Sequence, residues 1–426
     1  MRCLRVIILF VLVWGGKTVD AQEIALDNFA GIGSRAMGMG GAFVSVGGDY
    51  SSTFWNPAGL ARANRGTVYW EATHGRFENE SRFFGSPATY RLSSTRIGAI
   101  GVVIPYPVHQ GSLVFAGGFG RNKDFDNGLE ISGYDTVVDY DKKGFSEDRG
   151  ALGAWTLGGA MDMAPNLSVG LSLYRWRGFN QFDQELTLAD VQNVHPDTVR
   201  FYQRYASQDR YTAWSIQGGL LYWHTSGFRM GLTVAATTPL RVSSNLEDEF
   251  EDEFITGTDV YPTERYSDRY KIQHPLTFAL GMGYVHGPWT VAGDVHYGDL
   301  QAVTYDQLPQ VLAPNVDDFR RQYRDALRVH LGGEYLFRNV AFRAGYYRNP
   351  VRYVGGGTVP SVLIENDRDA WTLGLGGTLE NTVGLDVAAV FGGYRVVEGN
   401  REDRVKTVRV FASATFWFDV NDGGGM

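Results

Sequence analysis

Val408-Arg409-Val410-Phe411-Ala412-Ser413-Ala414-Thr415-Phe416-Trp417-Phe418 is the stretch on which the fold turns. Successive side chains of an extended strand point to opposite faces, so Val408, Val410, Ala412, Ala414, Phe416 and Phe418 share one face. Arg409, Phe411, Ser413, Thr415 and Trp417 share the other. The pattern recurs upstream. Leu327, Val329, Leu331, Tyr335 and Phe337 alternate with Arg328, His330, Gly332, Glu334 and Leu336. Leu167, Val169, Leu171 and Leu173 stand against Ser168, Gly170, Ser172 and Tyr174. Phe228, Met230, Leu232 and Val234 stand against Arg229, Gly231, Thr233 and Ala235. One face is greasy; the other is mostly small, polar or charged.

A period of two allows two architectures. A soluble sandwich or barrel buries its greasy face inward, whereas a membrane barrel turns it outward to lipid. Three features favour the membrane. The alternating runs reach about 10 to 13 residues, against roughly 5 to 6 for strands of soluble sheets. Aromatics sit near the run ends, at Trp223, Trp289, Tyr335, Phe337, Trp417 and Phe418, where membrane–water girdles belong. The connections also alternate between short and long.

Fourteen strands are predicted, centred near residues 70, 100, 116, 156, 171, 217, 233, 278, 293, 331, 343, 374, 388 and 412. Short connections fall around Pro105 to Gln110, at Ala164-Pro165-Asn166, Thr225-Ser226-Gly227, His286-Gly287-Pro288, Arg338-Asn339 and Glu380-Asn381. Long ones occupy about 75–95, 122–148, 179–208, 240–269, 299–325, 349–367 and 396–403. An even strand count, with short turns on one side and long loops on the other, is the plan of bacterial outer-membrane barrels. Closure leaves no open sheet edge, which hydrocarbon would not tolerate. The expectation is an all-β fold, a transmembrane antiparallel β-barrel over 66–420, followed by a tail at 421–426.

The N-terminus reads as an export signal. Arg2 and Arg5 precede an unbroken apolar run from Val6 to Trp14, too short to span a bilayer, and Val19-Asp20-Ala21 fits a cleavage site before Gln22. Residues 1–21 are therefore expected to be removed on the way to the outer membrane. Elsewhere no run of about 18 apolar residues exists, so no transmembrane helix is expected. The net charge of -8, without a basic patch, argues against a nucleic-acid partner. The one cysteine, Cys3, lies within the signal, which excludes disulfides, thiolate metal sites and cysteine catalysis from the mature chain. No Gly-x-Ser-x-Gly elbow, His-Glu-x-x-His or P-loop is present, and the eight histidines fall singly. Neither an enzyme, a cofactor nor a metal is expected.

The segment before the first strand, 22–65, breaks the alternation. Gly31-Ile32-Gly33-Ser34-Arg35-Ala36-Met37-Gly38-Met39-Gly40-Gly41-Ala42-Phe43-Val44 is glycine-dense. Gly31-x-Gly33 is no dinucleotide loop, because no βαβ unit follows and Ala36 replaces the third glycine. The segment reads as compact, irregular chain lying close to other backbone, with glycine permitting the approach. Asn56-Pro57 reads as a turn or a helix start, with Asn56 a candidate cap.

Gly33-Ser34-Arg35-Ala36-Met37-Gly38-Met39-Gly40-Gly41-Ala42-Phe43, followed by Phe54-Trp55-Asn56-Pro57-Ala58-Gly59-Leu60, strongly resembles the N-terminal hatch of the FadL/TodX family. Those proteins are outer-membrane channels for long-chain fatty acids and aromatic hydrocarbons. His274-Pro275-Leu276, Leu280-Gly281-Met282-Gly283-Tyr284, Trp289 to Tyr297 and Phe342-Arg343-Ala344-Gly345-Tyr346-Tyr347 also look familial. The resemblance implies a fourteen-stranded barrel plugged from the periplasmic side and passive uptake of hydrophobic small molecules. Its surroundings would be outer-membrane lipid and lipopolysaccharide, and its assembly would use the barrel-assembly machinery. Gly33, Arg35, Gly38, Gly40, Gly41, Asn56, Pro57 and Ala58 become the hatch and gating candidates. One departure is that Phe418 is followed by Asp419, Val420 and the tail, where family barrels end close to an aromatic residue. PorV-like barrels share the hatch motif and serve protein secretion and surface attachment, which is the alternative function.

A lumen of about fourteen strands is too wide for wall side chains to fill, so a plug is needed to close it. Inward-facing Arg328, Glu334, Arg343, Asp386 and Arg409 are candidates to hold that plug, to meet a carboxylate, or simply to neutralise one another. In the family the third and fourth extracellular loops shape an apolar capture groove; here they are about 179–208 and 240–269. In the fourth, Leu246, Phe250 and Phe254 recur every four residues among acidic neighbours, which on a helix makes one greasy stripe.

Overall fold

The computed structural model describes residues 31–195, 197–299, 302–307, 326–350, 362–364 and 368–420. The expected signal at 1–21, the tail at 421–426 and most of the connections at 299–325 and 349–367 lie outside the described residues.

Fourteen antiparallel staves form one closed barrel. They are β1 (Gly66–Phe83), β2 (Ser86–Tyr106), β3 (Leu113–Asp124), β4 (Tyr140–Ala164), β5 (Leu167–Ala189), β6 (Thr198–Trp223) and β7 (Phe228–Thr237). Then come β8 (Thr277–His286), β9 (Trp289–Gly298), β10 (Ala326–Phe337), β11 (Val340–Asn349), β12 (Arg368–Leu379), β13 (Val383–Glu398) and β14 (Arg401–Phe418). Each pairs with its sequence neighbours. β1 closes the ring against β14 in unbroken register, from Gly66 opposite Phe418 to Phe83 opposite Arg401. Every predicted strand centre falls within its own stave. The connections predicted to be short lie at one end of the barrel and those predicted to be long at the other.

The two faces of the staves are sorted as a membrane barrel requires. Leu171, Leu331 and Leu373 are 52%, 51% and 60% exposed, while Ser172, His330 and Phe411, on the opposite face, are buried. A greasy outer belt of this extent has no stable place in water and needs lipid around it. The hydrophobic core is therefore inside, and it belongs to the segment that precedes β1. Ala36, Met37, Met39, Ala42, Phe43, Trp55, Ala58 and Leu60 are shielded from solvent and pack against inward side chains such as Ala292, Ala370, Val390 and Phe411. This inner segment holds two short helices, α1 (Ser34–Gly38) and α2 (Ser52–Trp55), and a 3-10 turn, Pro57–Arg62.

The staves are longer than the alternation suggests. β6 has 26 residues, whereas about 9–11 cross a bilayer. The surplus projects on the long-connection side, so several predicted loops are strand. The connection expected at 75–95 is a hairpin whose turn is only Phe84-Gly85.

The helix expected through Leu246, Phe250 and Phe254 is overturned. These residues lie on the strand Leu240–Phe254, which pairs with β6 on one side and with Glu264–Gln273 on the other. A spacing of four is a multiple of two, so it marks one face of a strand as readily as one face of a helix. The acidic neighbours decide between the two, because cross-strand arginines meet them. Arg200 reaches Glu251 at 2.6 Å and Glu253 at 3.1 Å, and Arg265 reaches Glu247 at 2.9 Å.

Candidate functional site: the inner segment and the cavity beside it

The inner segment begins as a helix of one turn and is then reversed by glycine. Gly40 and Gly41 have φ of +66° and +75°, and the Gly41 N–H donates back to the Ala36 carbonyl at 2.8 Å. Two consecutive left-handed residues are cheap only for glycine, which explains the pair at this point.

Wall side chains satisfy the backbone that this turn frees. The Phe43 and Val44 N–H groups donate to the Asp294 carboxylate of β9, at 2.6 and 2.8 Å. His330 of β10 bonds the Gly40 carbonyl at 2.7 Å, and the Thr372 hydroxyl of β12 donates to the Gly38 carbonyl at 3.0 Å. On β1, Glu71 accepts from the Ser34 hydroxyl at 3.1 Å and the Gly33 N–H at 3.4 Å. Buried polar backbone must be paired, and here the pairing doubles as attachment to the wall.

Charge adds a second attachment. Arg35 holds Glu334 through two hydrogen bonds, Nε to Oε2 at 3.0 Å and Nη2 to Oε1 at 2.8 Å. Arg343 donates to the same carboxylate at 2.7 Å and to Asp386 at 2.6 Å. Glu334, Arg343 and Asp386 thus form one chain that ends on Arg35 of the inner segment. A bidentate guanidinium–carboxylate pair fixes geometry as well as distance. Arg328 and Arg409 stand apart from this chain. Arg328 donates to Asn349 at 2.9 Å and borders the cavity described below. Arg409 borders a second cavity of about 130 Å³.

Asn56 both caps and bridges. Its Oδ1 accepts from the Ala58 N–H at 3.1 Å, while its Nδ2 donates to the Val44 carbonyl at 2.7 Å and to the Leu220 carbonyl of β6 at 2.9 Å. Pro57 opens the 3-10 turn, where its fixed φ is already suitable.

The wall yields space for this backbone. A Cβ on Gly332 would stand 2.0 Å from the Met39 carbonyl oxygen, one on Gly231 2.1 Å from the Val44 carbonyl oxygen, and one on Gly345 2.3 Å from the Gly40 nitrogen. At Gly170 a Cβ would meet the Ala58 nitrogen at 2.3 Å. These glycines come from β5, β7, β10 and β11, so the inner segment touches the wall around much of its circumference.

Sequence reasoning missed Glu71, Asp294, His330 and Thr372 as attachment points, and it missed the wall glycines. The glycines carried the available signal, because Gly170, Gly231, Gly332 and Gly345 all occupy inward positions of the alternation.

Beside the inner segment lies a cavity of about 270 Å³. Phe54 and Trp55 form one side of it, and Tyr174, Trp176, Phe278 and Tyr297 contribute aromatic surface from the wall. Cavities of about 150 Å³ already admit benzene. Five of the polar residues around it are paired among themselves: Trp176 donates to Ser215 at 2.6 Å, Ser215 shares a hydrogen bond with Thr237 at 2.9 Å, and Tyr174 donates to Gln217 at 2.5 Å. Among the described residues no cluster of three or more potential metal ligands occurs.

No protein-family model matches the sequence, and no curated protein does. Solved structures do. The Pseudomonas putida toluene transporter TodX aligns with a TM-score of 0.63 at 14% identity, covering 92% of this chain and all of that one. The Ralstonia pickettii toluene transporter TbuX aligns at 0.56 and 15% identity, covering 92% and 99%. A Pseudomonas aeruginosa FadL homologue aligns at 0.58 and 13% identity, again covering 92% and 99%. The chain therefore has the fourteen-stranded barrel fold of the TodX-like transporters.

Proposed function

We propose that this protein is an outer-membrane channel for passive uptake of hydrophobic small molecules, with residues 31–65 as its plug. The observation that carries the reading is the aromatic-lined cavity of about 270 Å³ set directly against Phe54 and Trp55 of that segment. A ligand would be caught on the projecting strands, where Leu246, Phe250 and Phe254 share one face. It would pass to the cavity and leave past the plug. Gly38, Gly40 and Gly41 let the plug backbone lie against the wall, and Gly33 leaves room for Ser51 of the plug itself. Arg35 and Asn56 fasten it, and Pro57 and Ala58 shape its exit toward β1. Nothing in this route calls for catalysis. Export with loss of residues 1–21, folding by the barrel-assembly machinery, and a setting of lipid and lipopolysaccharide complete the reading. Toluene and long-chain fatty acids transported by TodX-like and FadL-like proteins are the first compounds to try. Liposomes holding the purified protein should take up one or both faster than protein-free liposomes. Equal rates for every compound would remove the proposal.

A further inference from the structure

Above the lipid belt, one sector of the outer surface gathers arginines that the protein does not neutralise. Along the outward face of β5, Leu171 and Leu173 give way to Arg175 and Arg177; on β6, Ile216 and Trp214 give way to Thr212 and Arg210. Cross-strand register sets these residues in rows. The lowest is Trp155, Arg175 and Trp214, with the Arg175 guanidinium 4.9 Å from the Trp214 ring centre. The two tryptophans are 62% and 46% exposed and mark the membrane–water interface. The next row is Arg177, Thr212, Arg241 and Lys271, the last of these opposite Asp306 at the edge of the sector. Above it stand Phe179, Arg210, Ser243 and Arg269. An uncharged row follows, and only beyond it do acids appear, at Asp183 and Glu247. Arg177, Arg210, Arg241 and Arg269 are exposed, and among the described residues no ion pair or hydrogen bond engages their guanidinium groups.

We propose that this face holds the headgroup of an outer-leaflet glycolipid bearing two phosphates, lipid A. The inference rests on the outer-membrane setting of the reading above and adds a binding site to it. Like charges gathered on one face repel one another, and an anion laid across them removes that cost. Guanidinium groups match phosphate oxygens in a two-pronged geometry that an ammonium cannot offer. Thr212 stands between Arg177 and Arg241, and Ser243 between Arg210 and Arg269, so each pair of arginines brackets a hydroxyl that can donate to the same phosphate. From β5 to the strand Glu264–Gln273 is three interstrand steps, about 14 Å, which leaves room for two phosphates side by side. Position argues for a lipid over a free anion. Acyl chains lying on Leu171, Leu173 and Ile216 would bring their headgroup to the arginine rows, whereas a soluble anion gains nothing from the apolar belt beneath.

Native mass spectrometry of the full protein in detergent, titrated with diphosphoryl or monophosphoryl lipid A, tests the site. The patch variant combines Arg177→Gln, Arg210→Gln, Arg241→Gln and Arg269→Gln. A control variant removes the same charge from exposed positions of β1, β2 and β14, through Arg82→Gln, Arg91→Gln, Arg404→Gln and Lys406→Gln. The native protein should bind the diphosphoryl form more tightly than the monophosphoryl form. The patch variant should lose at least about tenfold in affinity for the diphosphoryl form, and the control should keep it. A patch variant that binds as the native protein does, equal losses in the two variants, or a native protein indifferent to the second phosphate would each overturn the proposal and leave the channel reading standing. Native dimers that the patch substitutions dissolve, with lipid affinity unchanged, would assign the face to a second copy and overturn it too. Recovery of the native protein outside the outer membrane on fractionation overturns both readings. Heat-modifiable migration of each variant establishes that the barrel is folded.

Discussion

A Cβ placed on Gly332 would lie 2.0 Å from the Met39 carbonyl oxygen and 2.7 Å from its carbonyl carbon. Both atoms are backbone, so no side-chain rotation relieves the clash. Ordinary contact begins at 3.4 Å, and the plug at Met39 must retreat by about 1.4 Å, the difference between those distances. Overpacking of this kind costs about 1–3 kcal/mol. The retreat would also stretch the neighbouring Gly38–Thr372 and Gly40–His330 hydrogen bonds. Gly333 supplies the control. It is the next residue on β10 and faces the other way, and its Cβ would meet only the Thr290 carbonyl oxygen at 3.7 Å. Gly332→Ala is therefore expected to insert normally, because the stave ladder is untouched, but to leak ions in a planar bilayer and to expose the plug to protease. Gly333→Ala should match the native protein in both assays. If the two variants behave alike, the contact between Met39 and the wall does not hold the plug.

Glu334→Ala leaves Arg35 without its bidentate partner. Breaking a buried pair costs about 3–5 kcal/mol, and less here because the Arg35 side chain is 30% exposed. Faster protease cleavage within residues 31–65, with the barrel itself resistant, is the expected result, and unchanged cleavage would assign the segment's hold to its other wall contacts. Leu331→Arg puts a charge on the lipid face at about 2–4 kcal/mol and should reduce the heat-modifiable fraction in membranes. Ala235→Arg opens on the cavity and should not; equal losses would mean the faces are assigned wrongly.

The barrel was legible because lipid enforces alternation. Along Val408–Phe418 and Leu327–Phe337 the outer residues must be apolar, so the period of two survives in the sequence. Beyond the membrane both sides of a stave meet water and that constraint lapses. Leu240–Phe254 consequently reads as an acidic run, although it is as much a strand as β6, its partner. Its pairing rests on Arg200 and Arg265, distant in sequence, and no local pattern announces them. The hatch motif includes Arg35 and Asn56, both of which bond the wall. The wall's side of those contacts was harder to see. Asp294 and Glu71 are single carboxylates on lumen-facing positions, where polar residues are expected in any case. Only the fold brings Asp294 under the Phe43 and Val44 amides.

The central claim is that residues 31–65 close the lumen, and conductance of a barrel lacking Gly31 to Leu60 tests it most directly. Stave hydrogen bonds run between neighbouring strands and owe nothing to that segment, so the shortened protein should insert. Water would then fill the lumen that the plug's buried side chains now occupy. Single-channel recordings in planar bilayers should show a large, steady, unselective conductance where the full protein shows almost none. A shortened barrel as tightly closed as the full protein would contradict the account and place the closure in the projecting strands instead.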